Sequence, residues 1–138
     1  MFDGCIYFNT QALGRRLERI WTEAFRPFGL TPSQAFMLRA VLAEPAMLQG
    51  ELADTLKIAR ATATRGVDGL EAKGLVTRHA TKTDGRECEI QPTVAGRALQ
   101  DGLNLASGAV TQRLKRQLGD DPFMEFVTRA RGIADAVE

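Results

Sequence analysis

Apolar residues recur every three to four positions over most of this chain, and the interruptions divide it into helices. Leu13, Leu17, Ile20, Trp21, Ala24 and Phe25 keep that spacing among Arg15, Arg16, Glu18, Arg19, Thr22 and Glu23, which predicts a first helix over about Ile6 to Arg26. Its apolar stripe, extended by Phe28, is wider than one terminal helix of a small monomer needs, and Pro27 and Gly29 stop it. Thr31-Pro32-Ser33-Gln34 reads as the next helix start: a threonine cap, proline in the first turn, and glutamine three residues past the cap. Phe36, Leu38, Val41 and Leu42 supply that helix with a buried face, and Glu44-Pro45 ends it. Two shorter helices follow, at about Gly50 to Leu56 and Ala59 to Lys73. Leu52, Ala53 and Leu56, then Ala63, Val67 and Leu70, face inward, and Gly74 stands past the last cap.

The period then changes from helical to alternating. Leu75 to Ala80 reads as a strand, Lys82-Thr83-Asp84-Gly85-Arg86 as a turn, and Cys88 and Ile90 alternate with Glu87, Glu89 and Gln91 as a returning strand. Thr93 caps a long fifth helix over about Val94 to Leu118, with Leu99, Leu103, Ala106, Val110, Leu114 and Leu118 on one side. Gly119 closes it. Asp121-Pro122 opens a last helix carrying Phe123, Phe126, Val127, Ala130, Ile133, Ala134 and Val137. The expected order is α-α-α-α-β-β-α-α, a mainly helical α+β fold with a small β-hairpin. No repeat, low-complexity tract or linker divides it.

Composition narrows the class. With 138 residues, 44% apolar and 25% charged, the chain suits one folded domain. No run approaches the roughly eighteen apolar residues of a membrane span, and the N-terminus lacks the basic and apolar regions of a secretory signal. A cytoplasmic protein without membrane contact is the default expectation. Two cysteines in unlike contexts, Cys5 and Cys88, form neither a disulfide framework nor a metal knuckle, and His79 is the one histidine. There is no Ser/His/Asp set, metal cluster or glycine-rich phosphate loop, so neither an enzyme nor a cofactor is expected. Net charge is only +1, but residues 57–86 carry +4 and the remainder −3. Anionic partners would be drawn to that central island.

Within the island, two short helices joined by a turn of three or four residues have the form of a helix-turn-helix. Ala53 is small where the helices cross, and Ile58 plugs the turn. The second helix presents Arg60, Thr62, Thr64, Arg65 and Asp68 outward. Short side chains let such a helix sit deep in a major groove while arginines reach guanine edges or phosphates. The hairpin that follows, with Lys82 and Arg86 around its turn, forms a wing that can reach the adjacent minor groove.

Leu52-Ala53-Asp54-Thr55-Leu56-Lys57-Ile58, Thr62-Ala63-Thr64-Arg65 and Leu70-Glu71-Ala72-Lys73-Gly74-Leu75-Val76-Thr77-Arg78 together resemble the multiple antibiotic resistance regulator (MarR) family. Asp84-Gly85-Arg86 is similar to that family's wing signature. Thr93-Val94-Ala95-Gly96-Arg97 and Gly29-Leu30-Thr31-Pro32-Ser33-Gln34-Ala35 are similar to its entries into helices five and two. The resemblance spans nearly the whole chain. It implies a homodimeric, winged helix-turn-helix transcriptional regulator of double-stranded DNA, in one unit over residues 1–138. The winged lobe would cover about 31–92, and dimerisation helices about 6–28 and 93–137. It further implies Thr62, Thr64 and Arg65 in the major groove, Arg86 in the minor groove, and Asp84 holding the wing through an ion pair. Small phenolic or anionic effectors would bind between the dimer region and the winged lobes. The chain departs from the family at Ala59 and Ala61, where serine is frequent, and at Pro92, where an aliphatic residue is usual. Gly66 and Gly69 weaken the recognition helix, by up to about 1 kcal/mol each.

Several residues carry two readings. Cys5 is either a redox-sensing thiol, with Tyr7 nearby, or an inert buried or interfacial cysteine, which is the commoner use. Cys88 is read as packing, and His79 as solvated or phosphate-adjacent. Trp21, Phe25 and Phe28 are read as core and interface, with some lining a pocket wall. The competing functions are a peroxide-sensing regulator on the same scaffold and a helical dimer that acts through a protein partner without operator binding.

Overall fold

The computed structural model describes residues 1–81 and 87–137. Helix α1 spans Ile6–Phe25 and passes into a 3-10 turn at Arg26–Phe28, where Gly29 reverses the chain in the left-handed region (φ 69°). Helix α2, Pro32–Ala43, begins as its sequence demands. The Thr31 hydroxyl accepts from the Gln34 N–H at 3.2 Å, and the Gln34 side chain accepts from the Thr31 N–H at 3.1 Å. Strand β1 (Met47–Leu48), helix α3 (Gln49–Leu56) and helix α4 (Arg60–Ala72) follow. Strands β2 (Val76–Ala80) and β3 (Cys88–Pro92) lead to helices α5 (Val94–Ala98), α6 (Gln100–Leu118) and α7 (Asp120–Ala136).

The sheet is antiparallel and three-stranded, in the order β1-β3-β2, so the hairpin expected from sequence gains a third strand. Met47 pairs with Ile90 and Leu48 with Glu89, while β2 runs from Val76 opposite Pro92 to Ala80 opposite Cys88. Two residues are too few to show alternation, and β1 exists because β3 offers it a free edge. Pro92 ends β3 and is buried, a strand position that tolerates its missing N–H.

Helix α2 runs through the middle of the core. Leu38 and Val41 are wholly buried with Phe25, Leu52, Val67, Leu70, Val76, Ile90 and Leu103, which brings α1, α3, α4, the sheet and α6 onto one cluster. Gly96 of α5 lies so close to the Leu75 carbonyl that a Cβ there would collide with backbone. The single fifth helix expected over Val94 to Leu118 is therefore corrected to two. Leu99 turns back to the Gly96 carbonyl at 3.1 Å, a tighter i to i+3 bond that separates α5, held on the winged lobe, from α6, which packs on α1. On α7 no residue is buried. Among the described residues, no helix is long and apolar enough to cross a membrane.

Candidate nucleic-acid interface

Helices α3 and α4 meet through Lys57, held in the left-handed region (φ 56°), with its N–H bonded back to the last turn of α3. Ala53 is buried at the crossing, and Ile58 packs its half-buried side chain against the core, the plug read from sequence. Ala59 is the cap of α4. Its backbone is extended as a cap requires, but its side chain makes no capping bond, which leaves a first-turn N–H without that support.

With Ala63, Val67 and Leu70 buried, α4 turns Thr62, Thr64, Arg65 and Asp68 outward. Gly66 faces α2, where an added Cβ would stand 2.5 Å from Met37 Cε. A residue that weakens the helix by propensity thus lets α2 and α4 approach closely.

The outward side chains differ in how committed they are. Arg60 folds back over Gly50, and its Nη1 lies 3.5 Å from Glu87 Oε1 at the base of β3. The Thr64 hydroxyl donates to the Arg60 carbonyl at 3.0 Å and accepts from Gln49 Nε2 at 2.9 Å. Asp68 is paired with Arg78 of β2 at 2.8 Å. Arg65 donates to the Thr62 hydroxyl at 3.4 Å. Among the described residues it is the α4 cation without an ion pair. Lys82, Asp84 and Arg86 lie outside the described residues.

Sequence reasoning passed over Gln49 and counted Arg78 only as one more charge in the basic island. The signal was present: Arg78 stands two residues after Val76, on the strand face turned inward, where an arginine requires partners. On the opposite face, Thr77 and His79 are exposed and share a 2.9 Å hydrogen bond.

A cavity of about 670 Å³ opens between α1 and the α2–α4 lobe. Trp21, Phe36, Met37 and Ile58 give it apolar walls, while Thr62 and Arg65 of α4 form part of its lining. Trp21 Nε1 is anchored on the buried Ser107 hydroxyl at 3.2 Å, so the indole is a fixed wall. Phe25 is wholly buried and Phe28 packs against the core, as expected. Cys88 packs against the core as well. Cys5 is free and exposed at the cap of α1, so in this single chain the buried reading of it does not hold.

A helix-turn-helix whose second helix abuts a small antiparallel sheet defines the winged helix-turn-helix class of DNA-binding folds. The MarR family matches residues 28–87. The HTH-type transcriptional repressor MdtR of Bacillus subtilis is 23% identical over 133 residues, spanning 96% of this chain and 86% of MdtR. Among solved structures, the transcriptional regulator MosR of M. tuberculosis is 26% identical with a TM-score of 0.81, covering 99% of this chain and 100% of that one. The DNA complex of MepR from S. aureus shares the fold at a TM-score of 0.86, with 18% identity over 98% of this chain and 100% of MepR. Residues 28–87 thus match the MarR family, and the chain as a whole shares the fold of regulators of that type.

Proposed function

We propose that this protein is a cytoplasmic, homodimeric repressor that binds a pseudo-palindromic DNA operator and releases it when a small anionic or phenolic ligand binds. The observation that carries the reading is the outer face of α4: exposed Thr62 and Thr64 flank an Arg65 that has no ion pair among the described residues, beside the sheet that forms the wing. Thr62 and Arg65 are free to meet base edges as they stand. Thr64 joins them with its hydroxyl already committed, and Arg60 reaches a phosphate only by leaving Glu87. Lys82 and Arg86, by sequence, would extend the contact to the minor groove, with Asp84 as partner of the wing arginine.

The dimer is supported by apolar surface that one chain leaves open. Phe126, Val127 and Ile133 of α7 and Ile6 and Tyr7 of α1 are all exposed, more than scattered surface residues account for. The effector reading is supported by the cavity beside α4. An aromatic acid seated on Trp21, Phe36 and Met37 would place its carboxylate within reach of Arg65, and an arginine so engaged is withdrawn from DNA. The departures at Ala59 and Pro92 leave both elements formed, which favours operator binding over action through a protein partner.

Selection from a random duplex library tests the reading. Enriched inverted repeats with half-sites about one helical turn apart are expected, with affinity falling steeply as salt rises. Failure to enrich any inverted repeat would overturn it. A panel of aromatic carboxylates added to the selected complex tests the effector arm, and displacement that disappears in Arg65→Gln is the expected result.

A further inference from the structure

Arg78 leaves β2 with only 21% of its side chain exposed and spends its guanidinium on the helix-turn-helix. Its Nε donates to Gln49 Oε1 at 3.1 Å, at the start of α3. Its Nη1 meets Asp68 at 2.8 Å and Glu71 at 3.2 Å, and its Nη2 donates to the Thr64 carbonyl at 3.0 Å. The backbone N–H of Arg78 donates to the other Glu71 oxygen at 3.3 Å, so Glu71 grips both ends of the residue. Gln49 closes the ring by donating to the Thr64 hydroxyl. One planar cation thus bridges the first residue of α3, three positions of α4 and the central residue of β2.

We propose that Arg78 is a positioning residue that fixes the angle between the recognition helix and the wing, with Gln49 as its relay to Thr64. The inference rests on the reading that α4 and the wing bind DNA together. A DNA contact needs donors aimed at solvent, and those of Arg78 are directed at four acceptors of its own chain. Simple ballast for the fold would not need the contacts to converge from β2 and the start of α3 onto three positions of α4. The guanidinium fork is what the arrangement requires: a lysine supplies a point charge with no fixed plane and cannot span those acceptors together. With Arg78 in place, a phosphate or base held by Arg65 and one held by the wing lie at a set separation, and both contacts form without further ordering.

The test uses the full chain and two duplexes of the selected operator, one trimmed to the α4 half-sites and one extended by flanking base pairs that a wing would reach. Wild type is expected to bind the extended duplex about tenfold more tightly, the worth of one good contact. Arg78→Met and Arg78→Lys are each expected to lose most of that flank gain while holding the trimmed duplex within a few-fold of wild type. Equal weakening on both duplexes would mark a general structural role and overturn the proposal. Retention of the gain by Arg78→Lys would mark a direct charge contact with DNA and also overturn it. Should the Arg78 variants fail to fold, Asp68→Asn, at an exposed helix position, carries the test. Losing an acidic charge beside DNA should tighten both duplexes together, whereas loosening Arg78 should shrink the flank gain, and an unshrunk gain sinks the idea. If wild type itself shows no flank gain, the wing reading fails, and this proposal falls with it.

Discussion

The winged lobe and the helices around it solve burial in opposite ways. In the lobe, Leu38, Leu52, Leu70 and Ile90 are wholly enclosed by residues of the same chain, and its inward arginine has every partner it needs. Helix α7 carries Phe126, Val127 and Ile133 at comparable helical spacing and buries none of its residues. The same kind of stripe therefore means core in one place and unfinished surface in the other. What separates them is whether the same chain brings a second apolar face within reach. On the proposed function, the lobe would read DNA by itself, and the open faces of α1 and α7 would be covered by a second copy that sets two readers at a fixed spacing.

The sharpest break of that comparison is Leu70→Ala. It removes a wholly buried side chain and is expected to destabilise the fold by about 2–5 kcal/mol, visible as a lower denaturant midpoint at matched protein concentration. A loss below that range would mean the lobe is not closed around α4. Next comes Phe126→Asp on α7, which should leave the lobe folded and dissociate the proposed dimer, at about 2 kcal/mol or more for an aromatic anchor. Sedimentation at low micromolar concentration reads the outcome, and an intact dimer would place the interface elsewhere.

Arg65→Ala should weaken operator binding by about 1–3 kcal/mol and relax base preference at one position per half-site, with stability unchanged. Uniform weakening across all single-base operator variants would reassign Arg65 to the phosphates. Ala59→Ser supplies the missing cap of α4 and is expected to raise stability by about 1 kcal/mol, checked by thermal unfolding. The smallest effect is expected where the two regions touch, at the 2.7 Å pair between Lys57 and Asp135. The hydrogen bond and charge of Lys57 hold the Asp135 carboxyl below its ordinary value. Its contribution is therefore present above the usual carboxylate range and is lost as pH falls through the lowered value. The pair is exposed and screened, so Asp135→Asn should leave the unfolding midpoint unmoved near neutral pH. A clear drop would show that α7 is tied to the lobe within one chain.

Local chemistry made much of this protein legible in advance. Thr31 and Gln34 spell out the start of α2, Gly74 (φ 73°) and Gly119 (φ 90°) stand where α4 and α6 end, and alternation around Cys88 and Ile90 announces β3. These signals act between residues a few positions apart, so the sequence contains them whole. Strand β1 and the break at Leu99 were not legible, because one depends on pairing Met47 with Ile90 and the other on Gly96 resting against Leu75.

The same division runs through the site. Periodicity alone sets Thr62, Thr64 and Arg65 on the outer face of α4, since a 3.6-residue period with Ala63, Val67 and Leu70 inward leaves them no other arrangement, while Arg60 stands at the edge of the inward face. It could not rank them. Packing across the chain turns Arg60 back to Glu87, ties Thr64 to Gln49, spends Arg78 within the chain and, among the described residues, leaves Arg65 without an ion pair. The physical reason is that a charge is committed by the partner the fold brings within a few ångströms, and those partners lie up to 29 residues away in the chain.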